Sequence, residues 1–153
     1  MTFVSWVWGV LTRKAADTIR CRSNLSIDVF DLQGNLVSHE EVHNAWSSAG
    51  LDAIRNWAYG DAITGFTHVA LTDSTDNERV REAITQRIKS DTNELTIKQY
   101  LSSTTGNGYT YDTVTVYNAS SGGTAFASAE FTGIEKTASI QITITWVFTW
   151  SDN

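Results

Sequence analysis

The sequence predicts a mostly β protein, an antiparallel β-sandwich of about eight strands with one short α-helix (about 47–59) and an N-terminal arm. The chain has no proline, 10 glycines, and many threonines beside isoleucine, valine, tryptophan and tyrosine, a composition that favours strands. Short alternating segments are separated by turn residues. The last segment alternates apolar and polar residues without interruption. These three observations predict the fold class.

Length and composition describe one folded domain without a basic surface. The chain has 153 residues, of which 41% are apolar and 18% are charged, and this length suffices for a core of its own. The net charge of -6 and the lack of any basic run make nucleic acid and anionic membranes unexpected partners. A single cysteine, Cys21, excludes an internal disulfide.

Residues 1–23 are predicted to form an apolar arm and a connector, and residues 24–153 the β-sandwich domain. The arm has two apolar strand faces, one of Val4, Trp6, Trp8 and Val10 and the other of Phe3, Val7 and Leu11. A strand with two apolar faces must be covered on both. The segment is then either a central strand or an arm that lies on a neighbouring subunit. A short helix is a third alternative. The segment is too short to cross a bilayer.

The first element of the domain is a predicted β-hairpin. In "LSIDVFDLQGNLVSHEEVH", Leu25, Ile27 and Val29 share one strand face, and Gly34-Asn35 supplies the turn. The second strand then runs from Leu36 to about Asn44. This strand contains the one motif in the sequence that resembles a catalytic site.

His39, Glu40 and His43 spell H-E-x-x-H, the arrangement by which zinc peptidases hold a metal and activate water. On a helix the two imidazoles converge, whereas on a strand they lie about 13 Å apart and cannot bind the same zinc ion. Ser38 and Glu41 also spell a capping box, so a helix remains an alternative. We expect the strand, which leaves a zinc metallopeptidase with His68 or Glu78 as third ligand the least favoured alternative.

A helix is expected from about Ser47 to Tyr59, ending at Gly60. Its predicted buried stripe consists of Leu51, Ile54, and Trp57 or Ala58.

The remaining sequence predicts further strands. They span 66–72, 84–90, 95–101, 109–117, 124–131 and 140–150, and the polar stretch "DSTDNERVREA" after the first of them is predicted as a connection. In the last strand Ile140, Ile142, Ile144, Trp146, Phe148 and Trp150 share one face. Sustained alternation over eleven residues predicts a long strand that is buried on one side.

Three stretches together resemble the small β-rich structural proteins of tailed-phage virions, of the capsid decoration, collar or neck, and tail-fibre types. They are "VHNAWSSAGLDAIRNWAYG", "FTHVALTDSTD" and "VYNASSGGTAFASAEFTGIEKTASIQITITWVFTW". The resemblance is to an order of strands, turns and one helix, and it covers most of residues 36–150.

This resemblance implies a non-enzymatic virion protein, assembled in the host cytoplasm, with no catalytic residue, metal site or cofactor. Its partners would be itself, as a homo-oligomer with a trimer favoured, and other virion proteins such as the major capsid, neck or tail proteins. Neither nucleic acid nor membrane is implied. The alternative within the same resemblance is a receptor- or carbohydrate-binding tail-fibre module that uses exposed tyrosines such as Tyr109 and Tyr111.

Six tryptophans in 153 residues exceed what a small core easily encloses, and tryptophan is enriched in protein interfaces. The arm is predicted to dock on a neighbouring protein, and the last strand to supply core and subunit contacts. The alternative that every tryptophan lies in the core stays open. The hypothesised interface residues are Phe3, Val4, Trp6, Trp8, Val10, Trp146, Phe148 and Trp150.

Overall fold

A computed structural model describes residues 20–90 and 93–151. The predicted arm, with Phe3, Val4, Trp6, Trp8 and Val10, lies outside these residues. The first strand begins at Arg20, so residues 20–23 of the predicted connector belong to the sheet.

The described residues form nine strands and one helix. In chain order they are β1 (Arg20–Asp31), β2 (Leu36–Trp46), α1 (Ser48–Tyr59), β3 (His68–Asp73), β4 (Glu78–Ala83), β5 (Gln86–Lys89), β6 (Glu94–Leu101), β7 (Tyr109–Tyr117), β8 (Ala125–Lys136) and β9 (Ile140–Ser151).

The strands form two antiparallel sheets, which confirms the predicted β-sandwich with one short helix. One sheet has the order β2-β1-β9-β6-β5 and the other β4-β3-β7-β8. The sheets are joined where the last two residues of β2 pair with β8, Ala45 with Ser128 and Trp46 with Ala127. The chain thus passes from one sheet to the other directly before the helix.

Strand β9 lies between β1 and β6 and supplies much of the core. Its alternate residues from Ile142 to Phe148 are buried, as the sequence predicted. They pack with buried residues of both sheets in a single cluster, including Leu25, Ile27, Val69, Leu71, Ile97, Val114 and Val116. The alternation works because one face of β9 meets the opposite sheet and the other faces outward.

Two hypothesised interface residues are core residues. Trp146 and Phe148 are both 0% exposed and stack on each other, with ring centroids 5.4 Å apart. They supply core contacts, the first of the two roles predicted for this strand. Their side chains are not accessible to a partner. Trp150, at the end of the strand, is only partly buried.

Strand β4 lies in the polar stretch predicted as a connection, and Asp73 explains why it folds back on β3. The buried Asp73 carboxylate accepts hydrogen bonds from Thr75 N (2.9 Å), Thr75 Oγ1 (2.7 Å) and Asn77 N (3.1 Å), and it pairs with Arg79 Nε (2.6 Å). The Arg79 guanidinium holds the pKa of Asp73 well below its ordinary value. These bonds build a tight turn without apolar residues.

Strand β8 is longer than the predicted 124–131 and ends at the fully buried Lys136. Its Nζ donates to Asn107 Oδ1, Thr137 O and Ile140 O, each at 2.9 Å. Burial lowers the pKa of this lysine. Three acceptors satisfy the three ammonium protons, so the cation ties the β8–β9 turn to the loop before β7.

The core position of Phe148 gives a stability prediction. Phe148→Ala should lower the free energy of unfolding by about 3–5 kcal/mol, because it removes a fully buried ring. Tyr59→Ala, at a side chain that is 88% exposed, is the matched control and should change it by less than about 0.5 kcal/mol. Denaturant unfolding at a concentration where the protein is monomeric measures both. An effect of Phe148→Ala as small as that of Tyr59→Ala would contradict the assignment of Phe148 to the core.

Candidate docking surface

Helix α1 has well-formed caps at both predicted ends. Ser47 Oγ accepts a hydrogen bond from Gly50 N (2.9 Å) at the N-terminus. Gly60 ends the helix with φ 114, a left-handed conformation in which glycine avoids strain, and its N–H donates to Trp57 O (3.0 Å). The predicted boundaries of about 47–59 are therefore confirmed to within one residue.

The helix is held close to the backbone of β8. Ser47 N donates to Phe126 O (3.0 Å), and the Ser47 hydroxyl donates to the carbonyl of Ala125. Gly50 lies against Phe126 so closely that a Cβ there would be 2.8 Å from the Phe126 carbonyl carbon and closer still to its oxygen. Only glycine fits this contact without a shift of backbone.

The predicted buried stripe of the helix is wrong for this reason. The residues that face the sheet are the small ones, Gly50 and Ala53, which are buried. Leu51 and Trp57 are 49% and 67% exposed, Ala58 is exposed, and Ile54 is half-buried. A helix that approaches a sheet this closely has no room for large side chains on its contact face, so they turn toward solvent.

An open apolar groove of about 360 Å³ lies between the helix and the adjacent end of the sandwich. We call it the apolar groove and define it by Trp46, Ile54, Trp57, Phe66, Leu95 and Trp150, with Gly65 at its edge. A second hollow of about 220 Å³ adjoins it and shares Ile54, Trp57 and Gly65. The two form one continuous surface under Trp57.

Aromatic contacts connect this groove to the core. The ring centroid of Trp46 lies 5.3 Å from Phe148, 5.8 Å from Phe66 and 6.1 Å from Trp150. The indole nitrogen of Trp46 is buried and has no acceptor among the described residues, so the ring is held by apolar contacts. The wall of the groove is therefore continuous with the core at Trp46, whereas Trp57 is exposed.

The H-E-x-x-H motif lies on strand β2, as predicted, and its imidazoles have different partners. His39 Nδ1 lies 2.6 Å from Asp28 Oδ1, and His43 Nδ1 lies 3.1 Å from Asn24 Oδ1. Four residues along a strand separate the rings by about 13 Å, too far to share one zinc ion. Residues 20–90 and 93–151 contain no group of three or more His, Cys, Asp or Glu side chains suited to a metal.

The two tyrosines proposed for carbohydrate binding differ in their exposure to solvent. Tyr111 is fully buried and its hydroxyl donates to Gly106 O (2.8 Å). Tyr109 is exposed, with the Arg79 guanidinium carbon 4.6 Å from its ring centre. Only one of the two residues is thus available to a ligand, which corrects the expectation for Tyr111.

Comparison with known proteins gives no match: no protein-family model, no curated protein and no solved structure is similar to the chain. Within the described part of the chain, no helix has the length and apolar character needed to cross a membrane.

The contact between Gly50 and Phe126 gives a second prediction. Gly50→Ala should lower the free energy of unfolding by about 1–3 kcal/mol, because the added methyl overlaps backbone atoms. Gly65→Ala is the control, since a Cβ at Gly65 meets nothing within 4 Å. Differential scanning calorimetry of both variants measures the difference. Equal melting temperatures would show that the close contact does not position the helix.

The His39–Asp28 pair gives a pH prediction. The hydrogen bond that His39 Nδ1 donates to the Asp28 carboxylate raises the pKa of His39 above its ordinary 6.5, so the protonated ring stabilises the folded state. This contribution is complete below about pH 6.5 and is lost as pH rises through the folded-state pKa. An NMR titration should place the His39 pKa above 6.5, and Asp28→Asn should lower it. A wild-type value at or below 6.5 would contradict the pairing.

Proposed function

We propose that the chain is a non-enzymatic structural protein of a tailed-phage-like virion, acting by self-assembly and by docking on other virion proteins as a capsid decoration or as a neck or tail accessory. The observation that carries this proposal is the apolar groove with the exposed Trp57. Contiguous exposed apolar surface in a folded domain is typical of interaction sites.

One residue of the groove, Trp57, lies outside the core of the sandwich. It is 67% exposed because small residues make the contact between the helix and the sheet, and Trp150 is only partly covered. Large aromatic residues in such positions are enriched in interfaces, where a few of them supply most of the binding energy. The surface therefore suits a partner that brings apolar side chains.

The sheet edges favour docking through side chains rather than through added strands. The edge strand β4 carries Glu78, Arg79, Arg81 and Glu82, and the opposite edge strand β5 has only four residues, among them Arg87 and Lys89. Charged and short edge strands resist pairing with another chain. Assembly through the apolar groove leaves these edges unpaired.

The resemblance to virion proteins supports the same proposal, and the two rivals lose support. A zinc metallopeptidase lacks the helix that its motif requires. A carbohydrate-binding fibre module could not use Tyr111, because that side chain is buried in the core.

The proposal predicts that the chain is a stoichiometric component of tailed particles. Mass spectrometry of purified particles should detect it, and an antibody against it should label one structural layer in electron micrographs. A protein recovered only outside the particles would overturn the proposal.

Removal of residues 2–11 should abolish incorporation into the particle, because Phe3, Trp6 and Trp8 are then missing from the interface. The control replaces polar residues of the same segment, Thr2→Ala with Ser5→Ala, and should be incorporated normally. Quantitative immunoblots of purified particles measure both. Normal incorporation of the truncated chain would contradict a role for the arm.

A further inference from the structure

We infer that the apolar groove is the acceptor site for the N-terminal segment 3–11 of a second copy of this chain. The inference rests on the proposed function and deepens it, because it names the surface on which the arm docks. Each chain then carries one donor segment and one acceptor groove.

The chemistry of the two surfaces matches. The groove is walled by aromatic and aliphatic side chains, and in segment 3–11 the alternate residues Val4, Trp6, Trp8 and Val10 would share one face of an extended chain. The groove, of about 360 Å³, is near the lower end of the roughly 300–1,000 Å³ of small-molecule pockets, so it accommodates one or two large side chains of the segment rather than the whole segment. An extended peptide with alternate apolar side chains is the kind of occupant that fits it.

The position of the groove relative to the arm supports the same pairing. Strand β1 begins at Arg20, and Cys21 pairs directly with Trp150, a wall of the groove. Residues 12–19, which separate the segment from Arg20, reach at most about 26 Å when extended. The arm therefore joins the domain at the same end as the groove.

The sequence of the connection favours a second copy over the chain's own arm. Glycine, proline, asparagine, aspartate and serine supply most tight reversals of the chain, and of these the stretch between Val10 and Ile19 contains only Asp17. A donor and an acceptor on different surfaces form a head-to-tail contact, which closes into a ring when the rotation allows. Copies that donate arms in this way close into a dimer by exchanging arms or into a ring such as a trimer, and the trimer is the state that the resemblance to virion proteins implies.

The first test compares the assembly of full-length variants by sedimentation velocity. Trp6→Ala with Trp8→Ala removes the donor, and Trp57→Glu blocks the acceptor. Each variant should remain monomeric where the wild type is oligomeric, with at least about a thirtyfold weaker association expected for loss of a central tryptophan. Tyr59→Ala, on the same helix but outside the groove, is the matched control and should assemble like the wild type.

Folding of the acceptor variant is checked independently. Trp57 is largely exposed, so Trp57→Glu and the milder Trp57→Ala should both keep the wild-type circular dichroism spectrum and melt within a few degrees of the monomeric donor variant. If Trp57→Glu is unfolded, Trp57→Ala provides the comparison.

A mixing experiment decides whether arm and groove act between copies. A mixture of the donor and acceptor variants should form a dimer with one copy of each and nothing larger, because only one intact arm and one intact groove remain. Two monomers that do not associate on mixing would overturn the inference, and so would a wild type that is monomeric at all concentrations.

The outcomes also distinguish this inference from the proposed function. If Trp57→Glu assembles like the wild type while the donor variant does not, the arm docks elsewhere, and the inference fails although the proposed function stands. If the mixture forms the expected dimer but the protein is absent from particles, the proposed function fails and the groove remains the acceptor.

Discussion

The close contact between Gly50 and the backbone of Phe126 determines how the helix lies on the sandwich, and the candidate site depends on it. Strand β2 ends by pairing with β8, Ser47 continues that contact with hydrogen bonds to Ala125 and Phe126, and Gly50 completes it. The chain therefore enters the helix already fixed to the second sheet. Because small residues make this contact, the large apolar residues of the helix are left outside the core, beside the end of β9.

As a result, residues on the same face of β9 differ in burial along the strand. Trp146 and Phe148 are enclosed by both sheets, whereas Trp150, two residues further, lies in the groove wall. Period-2 alternation keeps all three on the same face, so the groove is a continuation of the core beyond the edge of the opposite sheet. Substitutions at the two buried residues act on stability, whereas the exposed Trp57 can be substituted with little effect on the core.

The strands with regular alternation and the elements with explicit caps or turns could be predicted from the sequence. Strand β7 was predicted with its observed bounds, and Gly60 marks the end of the helix. The buried face of the helix could not be predicted, because the contact distance to Phe126 depends on tertiary packing. Strand β4 was missed because a carboxylate, Asp73, organises its turn and its own residues are mostly polar. The groove follows from both sheets and the helix, and no local pattern indicates it.

The tryptophans show why composition alone could not assign the interface. Among the described residues, Trp146 is buried in the core, and Trp46, Trp57 and Trp150 line the apolar groove; the remaining two, Trp6 and Trp8, belong to the arm. The number of tryptophans predicts only that a small core does not easily enclose all six. Their positions add that three of them surround one groove at the end of the domain where the arm joins. A tryptophan-rich arm that is connected to the groove end of the domain through Arg20 is explained most simply if the arm of one copy covers the groove of the next.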